Sequence, residues 1–117
     1  MSKGSEFDIY IEEGIRFGGL SNRLKDILLN VKHDVELLIP NSRVYIFGSF
    51  ARGKYTAISD VDLLIITDVD DVELFDRVKA FLKRKYIDYP FEFHIVSETV
   101  YNRWYKRFIP EGELIRV

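Results

Sequence analysis

The chain has 117 residues, 47% of them hydrophobic and none of them cysteine. This composition indicates one domain with a core of its own and excludes disulfides and thiolate metal sites. The formal net charge of −2 argues against broad binding to a nucleic-acid backbone. No apolar run reaches the length of a membrane span, and the N-terminus has no apolar signal segment, so we expect a cytoplasmic protein.

The first half of the chain predicts one long helix and one strand. Residues 1–19 form an N-terminal segment in which residues 6–13 alternate loosely, as a short edge strand would. Residues 20–38 carry apolar side chains at a helical period, and Pro40 and Asn41 end that helix. Residues 44–47 are a short apolar run, typical of a buried strand. A tight loop over residues 48–53 follows.

The second half predicts two strands and two helices. Residues 61–67 are β-branched and almost wholly apolar, the strongest strand signal in the chain. A helix begins near residue 71, with acids in its first turn and bases at residues 83–85, as the helix dipole prefers. Residues 91–96 alternate as a third strand. Ser97 can cap a last helix over about residues 98–109, which Pro110 ends.

The element order is helix, strand, strand, helix, strand, helix. It predicts an α/β (α+β) fold, in which a small mixed sheet has helices packed on it. We expect residues 20–109 to form this domain and residues 110–117 to form a C-terminal tail. Functional side chains should lie at strand ends.

The most informative pattern is Gly48-Ser49 followed, after ten residues, by Asp60 and Asp62. Because side chains alternate along a strand, the two carboxylates should share one face, roughly 6.5–7 Å apart at their Cα atoms. Carboxylate pairs of this kind suit Mg²⁺ or Mn²⁺. Gly48 allows the backbone to approach a phosphate, and Ser49 offers hydrogen-bond donors. Together they suggest chemistry on a nucleoside triphosphate.

Polar residues of the following loop extend this hypothesis. Arg52 and Lys54 can neutralise the triphosphate, and Ser59 can orient the turn before Asp60. Arg52 and Lys54 are equally well explained as ordinary loop charges.

Glu92 is the candidate third carboxylate, since a two-metal site needs about three. It lies on the polar face of the third predicted strand, one strand register from Asp60 and Asp62 if the two strands are neighbours. Alternation alone would also place a polar residue there. His94 shares that face and could orient Glu92 or contact substrate, but a structural role is the commoner one for histidine.

The last predicted helix is rich in aromatic residues. Trp104 and Phe108 are four residues apart, and we expect them in the core. Tyr101 and Tyr105 fall on a neighbouring stripe and could form a surface for a partner.

These residues resemble the minimal nucleotidyltransferases (MNT) of prokaryotes, in the superfamily typified by DNA polymerase β. That family shows Gly-Ser, an Ala-Arg-Gly continuation and Ser-Asp-x-Asp-Leu. The matching residues here are Gly48, Ser49, Ala51, Arg52, Gly53, Ser59, Asp60, Asp62 and Leu63. The specific motif covers residues 47–66, and the element order agrees over roughly residues 20–108. The resemblance implies the polymerase β-like nucleotidyltransferase fold.

The resemblance also implies an activity: transfer of a nucleoside monophosphate, such as AMP from ATP, to a hydroxyl. Asp60, Asp62 and a third acid would hold Mg²⁺, with two ions when nucleotide is bound. The family's third acid is usually aspartate, so Glu92 departs from the pattern. Minimal members pair with a helical HEPN protein, often as the antitoxin that modifies a toxin tyrosine with AMP. The chain lacks room for a separate base- or acceptor-binding domain, and an oligomer is compatible with the sequence.

Two other functions remain open on the sequence alone. A non-catalytic module could keep the fold and bind a nucleotide or a partner through its aromatic face. Such a module would bind its partner equally well after Asp60→Asn and Asp62→Asn. A nucleic-acid binder is disfavoured by the net charge, and a steep salt dependence of affinity would revive it.

Overall fold

A four-stranded mixed sheet organises the chain. The computed structural model describes residues 21–48, 60–110 and 113–117, so the strand predicted over residues 6–13 lies outside the described residues. β1 (Arg43–Phe47) runs antiparallel to β2 (Val61–Thr67), which runs parallel to β3 (Phe91–Ser97). β4 (Ile115–Arg116) pairs antiparallel with β1. The predicted mixed sheet is confirmed.

Two helices complete the predicted pattern. α1 (Ser21–Leu38) precedes β1, and α2 (Val72–Lys85) provides the crossover that the parallel pair β2–β3 requires. Asp71 caps α2, because its carboxylate accepts a hydrogen bond from the Leu74 amide at 3.1 Å. The basic last turn of α2 also matches the prediction from the helix dipole.

The two faces of the sheet bury different sets of side chains. On one face, α1 and α2 cover the main core, to which the strands contribute Val44, Ile46, Leu63, Ile65 and Phe93. On the other face, a smaller cluster contains Leu64, Ile66, Val96 and Ile109. Successive residues of β2 therefore point to opposite faces, and Asp62 shares the face of Leu64.

An ion pair and a hydrogen bond join α1 to the end of α2. Lys85 Nζ and the Tyr86 hydroxyl donate to the Asp34 carboxylate at 2.7 and 2.6 Å. Burial alone would raise the pKa of Asp34, but the hydrogen bonds from Lys85 and Tyr86 outweigh it and lower that pKa. Burial and the neighbouring Asp34 charge raise the pKa of Tyr86, so its hydroxyl remains a donor.

The last helix has a π-helical middle. It consists of an α-helical turn (Glu98–Val100), a π segment (Tyr101–Tyr105) and a second α-helical turn (Lys106–Phe108), which together we call the C-terminal helix. The Ser97 hydroxyl accepts a hydrogen bond from the Val100 amide at 3.2 Å, which confirms the predicted cap. Within residues 110–117, predicted as a tail, Ile115 and Arg116 form β4.

The aromatic side chains of this helix differ from the prediction. Trp104 and Phe108 are 60% and 72% exposed, so their assignment to the core was wrong. Tyr101 and Tyr105 are half-buried and pack against the Leu64 cluster, so neither is an open partner surface. A spacing of four fits both pairs equally well. The sheet selects the stripe of Tyr101 and Tyr105 because the buried Ile109 continues it at the same spacing. No described helix is long and apolar enough to cross a membrane.

Candidate active site

Asp62, Glu92 and His94 lie together where the parallel strands β2 and β3 begin. Asp62 and Glu92 are register partners on the two strands, and His94 pairs with Leu64 two positions further on. The Val61 amide donates to the Pro90 carbonyl at 2.7 Å, which holds the two strand beginnings side by side. The adjacency expected for Asp62 and Glu92 follows directly from this register.

The three side chains are close enough to share an ion. Ligand atoms of Asp62, Glu92 and His94 all lie within 4.8 Å of one another. His94 Nε2 is 3.7 Å from Asp62 Oδ1 and 3.8 Å from Glu92 Oε1. Among the described residues, this is the one such group. Two carboxylates suit Mg²⁺ or Mn²⁺, and an added imidazole favours Mn²⁺ and other transition metals.

The electrostatics of Asp62 indicate a site built for positive charge. Burial raises the pKa of Asp62 and the charge of Glu92 raises it further, while His94 partly opposes them and Asp60 adds a smaller upward effect. An ionised Asp62 therefore costs free energy in the metal-free protein. A bound dication would reverse this balance, because it favours the charged carboxylate.

Gly48 closes the site on the side of β1. It follows Phe47, the register partner of Asp62, and has a φ of +80°. A Cβ at this position would lie 2.5 Å from Asp62 Oδ2. The left-handed backbone therefore favours glycine, and any larger residue would displace the Asp62 carboxylate. Gly48 and Asp62, which are 14 positions apart in the sequence motif, therefore lie side by side in the fold.

Two aromatic rings flank the His94 side chain. The Phe47 ring meets it edge-on at 5.4 Å between centroids, and the Tyr105 ring does so at 6.5 Å. Sequence reasoning left the role of His94 open. The available signal was its spacing of two from Glu92, which puts both side chains on one face of β3.

The remaining predicted site residues are placed less closely or are not described. Asp60 precedes β2, is exposed, and lies outside the group of three, although its charge acts on Asp62. Ser49, Arg52, Lys54 and Ser59 lie outside the described residues. Their roles in binding the triphosphate stay predictions.

Comparisons with known proteins identify the family of the chain. The family described as "Nucleotidyltransferase domain" matches residues 24–115. A relative from Methanocaldococcus jannaschii, by name a candidate protein adenylyltransferase, is 31% identical over 80 residues, covering 62% of this chain and 76% of the relative.

Two crystal structures of candidate nucleotidyltransferases are similar in fold. One is 28% identical, with a TM-score of 0.65, and the match covers 77% of this chain and 96% of that one. The other, from Sulfolobus solfataricus, is 25% identical, with a TM-score of 0.52, covering 99% and 89%. The chain therefore belongs to the nucleotidyltransferase domain family and is a nucleotidyltransferase of the polymerase β-like fold.

Proposed function

We propose that this chain transfers a nucleoside monophosphate, foremost AMP from ATP, to a hydroxyl acceptor. The observation that carries the proposal is the pairing of Asp62 with Glu92 across β2 and β3, directly against the backbone of Gly48. A carboxylate pair beside a glycine that admits phosphate is the arrangement that metal-assisted transfer from a triphosphate needs.

Each part of the site has a role in this reaction. Asp62 and Glu92 would hold Mg²⁺ or Mn²⁺, Asp60 would add a carboxylate from the edge of the site, and we expect two ions when nucleotide is bound. The cation, when bound, neutralises charge on the phosphate oxygens. Gly48 and the loop residues Ser49, Arg52, Lys54 and Ser59 bind the triphosphate.

The group transfer makes one bond and breaks one bond. The acceptor oxygen forms a bond to the α-phosphorus while the bond between the α-phosphorus and the bridging oxygen to the β-phosphate breaks, and pyrophosphate leaves. Glu92 accepts the hydroxyl proton, because its side chain is 54% exposed and meets an acceptor arriving from solvent, whereas that of Asp62 is 26% exposed.

A protein hydroxyl is the acceptor we favour. The relative from Methanocaldococcus jannaschii is by name a candidate protein adenylyltransferase. A tyrosine of a helical HEPN partner, with this chain as antitoxin, is the specific acceptor we propose from the resemblance. A gene for a small helical protein adjacent to the gene for this chain would support that partner.

Ligand-dependent thermal stability tests the site. For the unmodified chain at about 100 times Kd of Mg²⁺-ATP, the expected stabilisation is about 2.7 kcal/mol, which corresponds to about 10 °C in Tm. Asp62→Asn should remove this shift. Asp70→Asn is the matched control, because Asp70 is an exposed aspartate in the segment that follows β2. A full shift in Asp62→Asn would refute the assignment, and binding without any transfer would favour the non-catalytic module.

A further inference from the structure

A cavity of about 480 Å³ opens beside Gly48, between the end of β1 and the C-terminal helix. Its volume is within the range of small-molecule sites. The described residues that line it are Phe47, Gly48, Val100, Trp104, Tyr105, Phe108, Ile109, Pro110 and Glu113.

The described part of the lining favours a flat, uncharged group over a phosphate. Among the described lining residues, Glu113 carries the one charge, and it is negative. Trp104 and Phe108 present large rings that are 60% and 72% exposed. Exposed aromatic rings at a concave surface mark a binding site, because their faces offer apolar area to a planar ligand.

The cavity adjoins the carboxylate site, because Phe47 and Gly48 border both. Phe47 lines the cavity, is the register partner of Asp62 and contacts the His94 ring. Gly48 lines the cavity and lies against the Asp62 carboxylate. One ligand can therefore place a polyanionic part at the Asp62–Glu92 pair and a flat apolar part in the cavity.

We propose that this cavity binds the base of the nucleoside triphosphate, with Trp104 and Phe108 as its stacking surfaces. The proposal rests on the proposed function for the position of the triphosphate. Stacking on aromatic rings tolerates every base, since each base has a π-face. The cavity therefore supplies affinity for the nucleoside and little discrimination between bases.

The cavity contains its own spectroscopic probe, because Trp104 is the one tryptophan of the chain. Titration with Mg²⁺-ATP should change the tryptophan fluorescence, and titration with Mg²⁺-tripolyphosphate, which has no base, should leave it unchanged. GTP and CTP should act like ATP. An identical fluorescence response to tripolyphosphate and to ATP would contradict stacking on Trp104.

Affinity measurements by calorimetry provide the second test. Trp104→Ala should weaken Mg²⁺-ATP binding about tenfold or more, the loss expected for one stacking contact. The same variant should keep the tripolyphosphate affinity. Trp104→Phe should retain most of the ATP affinity. Leu37→Ala is the matched control, because Leu37 is a 69% exposed apolar residue on α1.

The outcomes separate this proposal from the proposed function. Unchanged ATP affinity in Trp104→Ala overturns the base site. If the same variant also shows less transfer to a protein acceptor, the cavity binds the acceptor and not the base. Equal losses of ATP and tripolyphosphate affinity overturn it too. Asp62→Asn should weaken both ligands, and its failure to do so would overturn the proposed function instead.

Discussion

Replacing Gly48 with alanine perturbs the site in two ways, through the strained backbone and through the added Cβ. Alanine at a φ of +80° costs about 1–2 kcal/mol, because its Cβ crowds the neighbouring carbonyl. The new Cβ would also lie 2.5 Å from Asp62 Oδ2, so the carboxylate must move. The backbone cost corresponds to a Tm lowered by about 4–8 °C in a domain of this size.

Asn41→Ala separates the backbone cost from the effect on the site. Asn41 is the one described non-glycine residue with positive φ, at 63°, and it is exposed in the turn between α1 and β1. It should lose a similar amount of stability without affecting Asp62. Thermal unfolding of both variants, with and without Mg²⁺-ATP, is the assay.

Both variants should have a lowered Tm in the metal-free state, but only Gly48→Ala should lose the stabilisation by Mg²⁺-ATP. If Gly48→Ala kept the stabilisation seen in Asn41→Ala, the contact between Gly48 and Asp62 would not matter for ligand binding, and our reading of the motif would be refuted.

Three further predictions concern stability. Asp34→Asn should cost about 1–3 kcal/mol in urea unfolding, since it disturbs two hydrogen bonds. Because the native pKa of Asp34 is lowered, its contribution to folding stability is present above the ordinary aspartate pKa of about 3.9 and is lost as pH falls through the native value. The free energy of unfolding should therefore fall less steeply with decreasing pH in Asp34→Asn. The same pH dependence in the variant and the unmodified chain would count against this role of Asp34. Ser97→Ala should lower stability by about 1 kcal/mol through the lost cap of the C-terminal helix, and an unchanged urea midpoint would disprove that role. The pKa of Asp62 is raised instead, so the ionised carboxylate lowers folding stability above the ordinary aspartate pKa. Metal-free Asp62→Asn should therefore be at least as stable as the unmodified chain at neutral pH. A lower Tm of the variant would show that Asp62 stabilises the fold.

Local patterns predicted most of the elements, because each depends on neighbours in sequence. The apolar run over residues 61–67 gave the bounds of β2, and Ser97 was identified as a cap from its position alone. The pairing of Asp62 with Glu92 followed once β2 and β3 were taken as neighbours. β4 has only two residues, too few for any periodicity.

The features that local sequence patterns did not predict depend on tertiary packing. Both Trp104 with Phe108 and Tyr101 with Tyr105 have a spacing of four, so the spacing did not predict which pair is buried. The buried pair is the one that packs against the sheet. The addition of His94 to the carboxylate pair depends on strand register and on the Phe47 ring. The cavity beside Gly48 is formed by residues from distant parts of the chain, and sequence reasoning missed it.

The most direct test of metal-assisted nucleotide transfer compares ATP labelled at the α- or the γ-phosphate. The acceptors are the chain itself and any small helical protein that an adjacent gene encodes, with Mg²⁺ or Mn²⁺ present or removed by chelation. We predict that the α-label alone becomes covalently attached, only with the cation, in the unmodified chain and Asp70→Asn but not in Asp62→Asn. Attachment of the γ-label, or equal α-labelling by Asp62→Asn, would contradict the account.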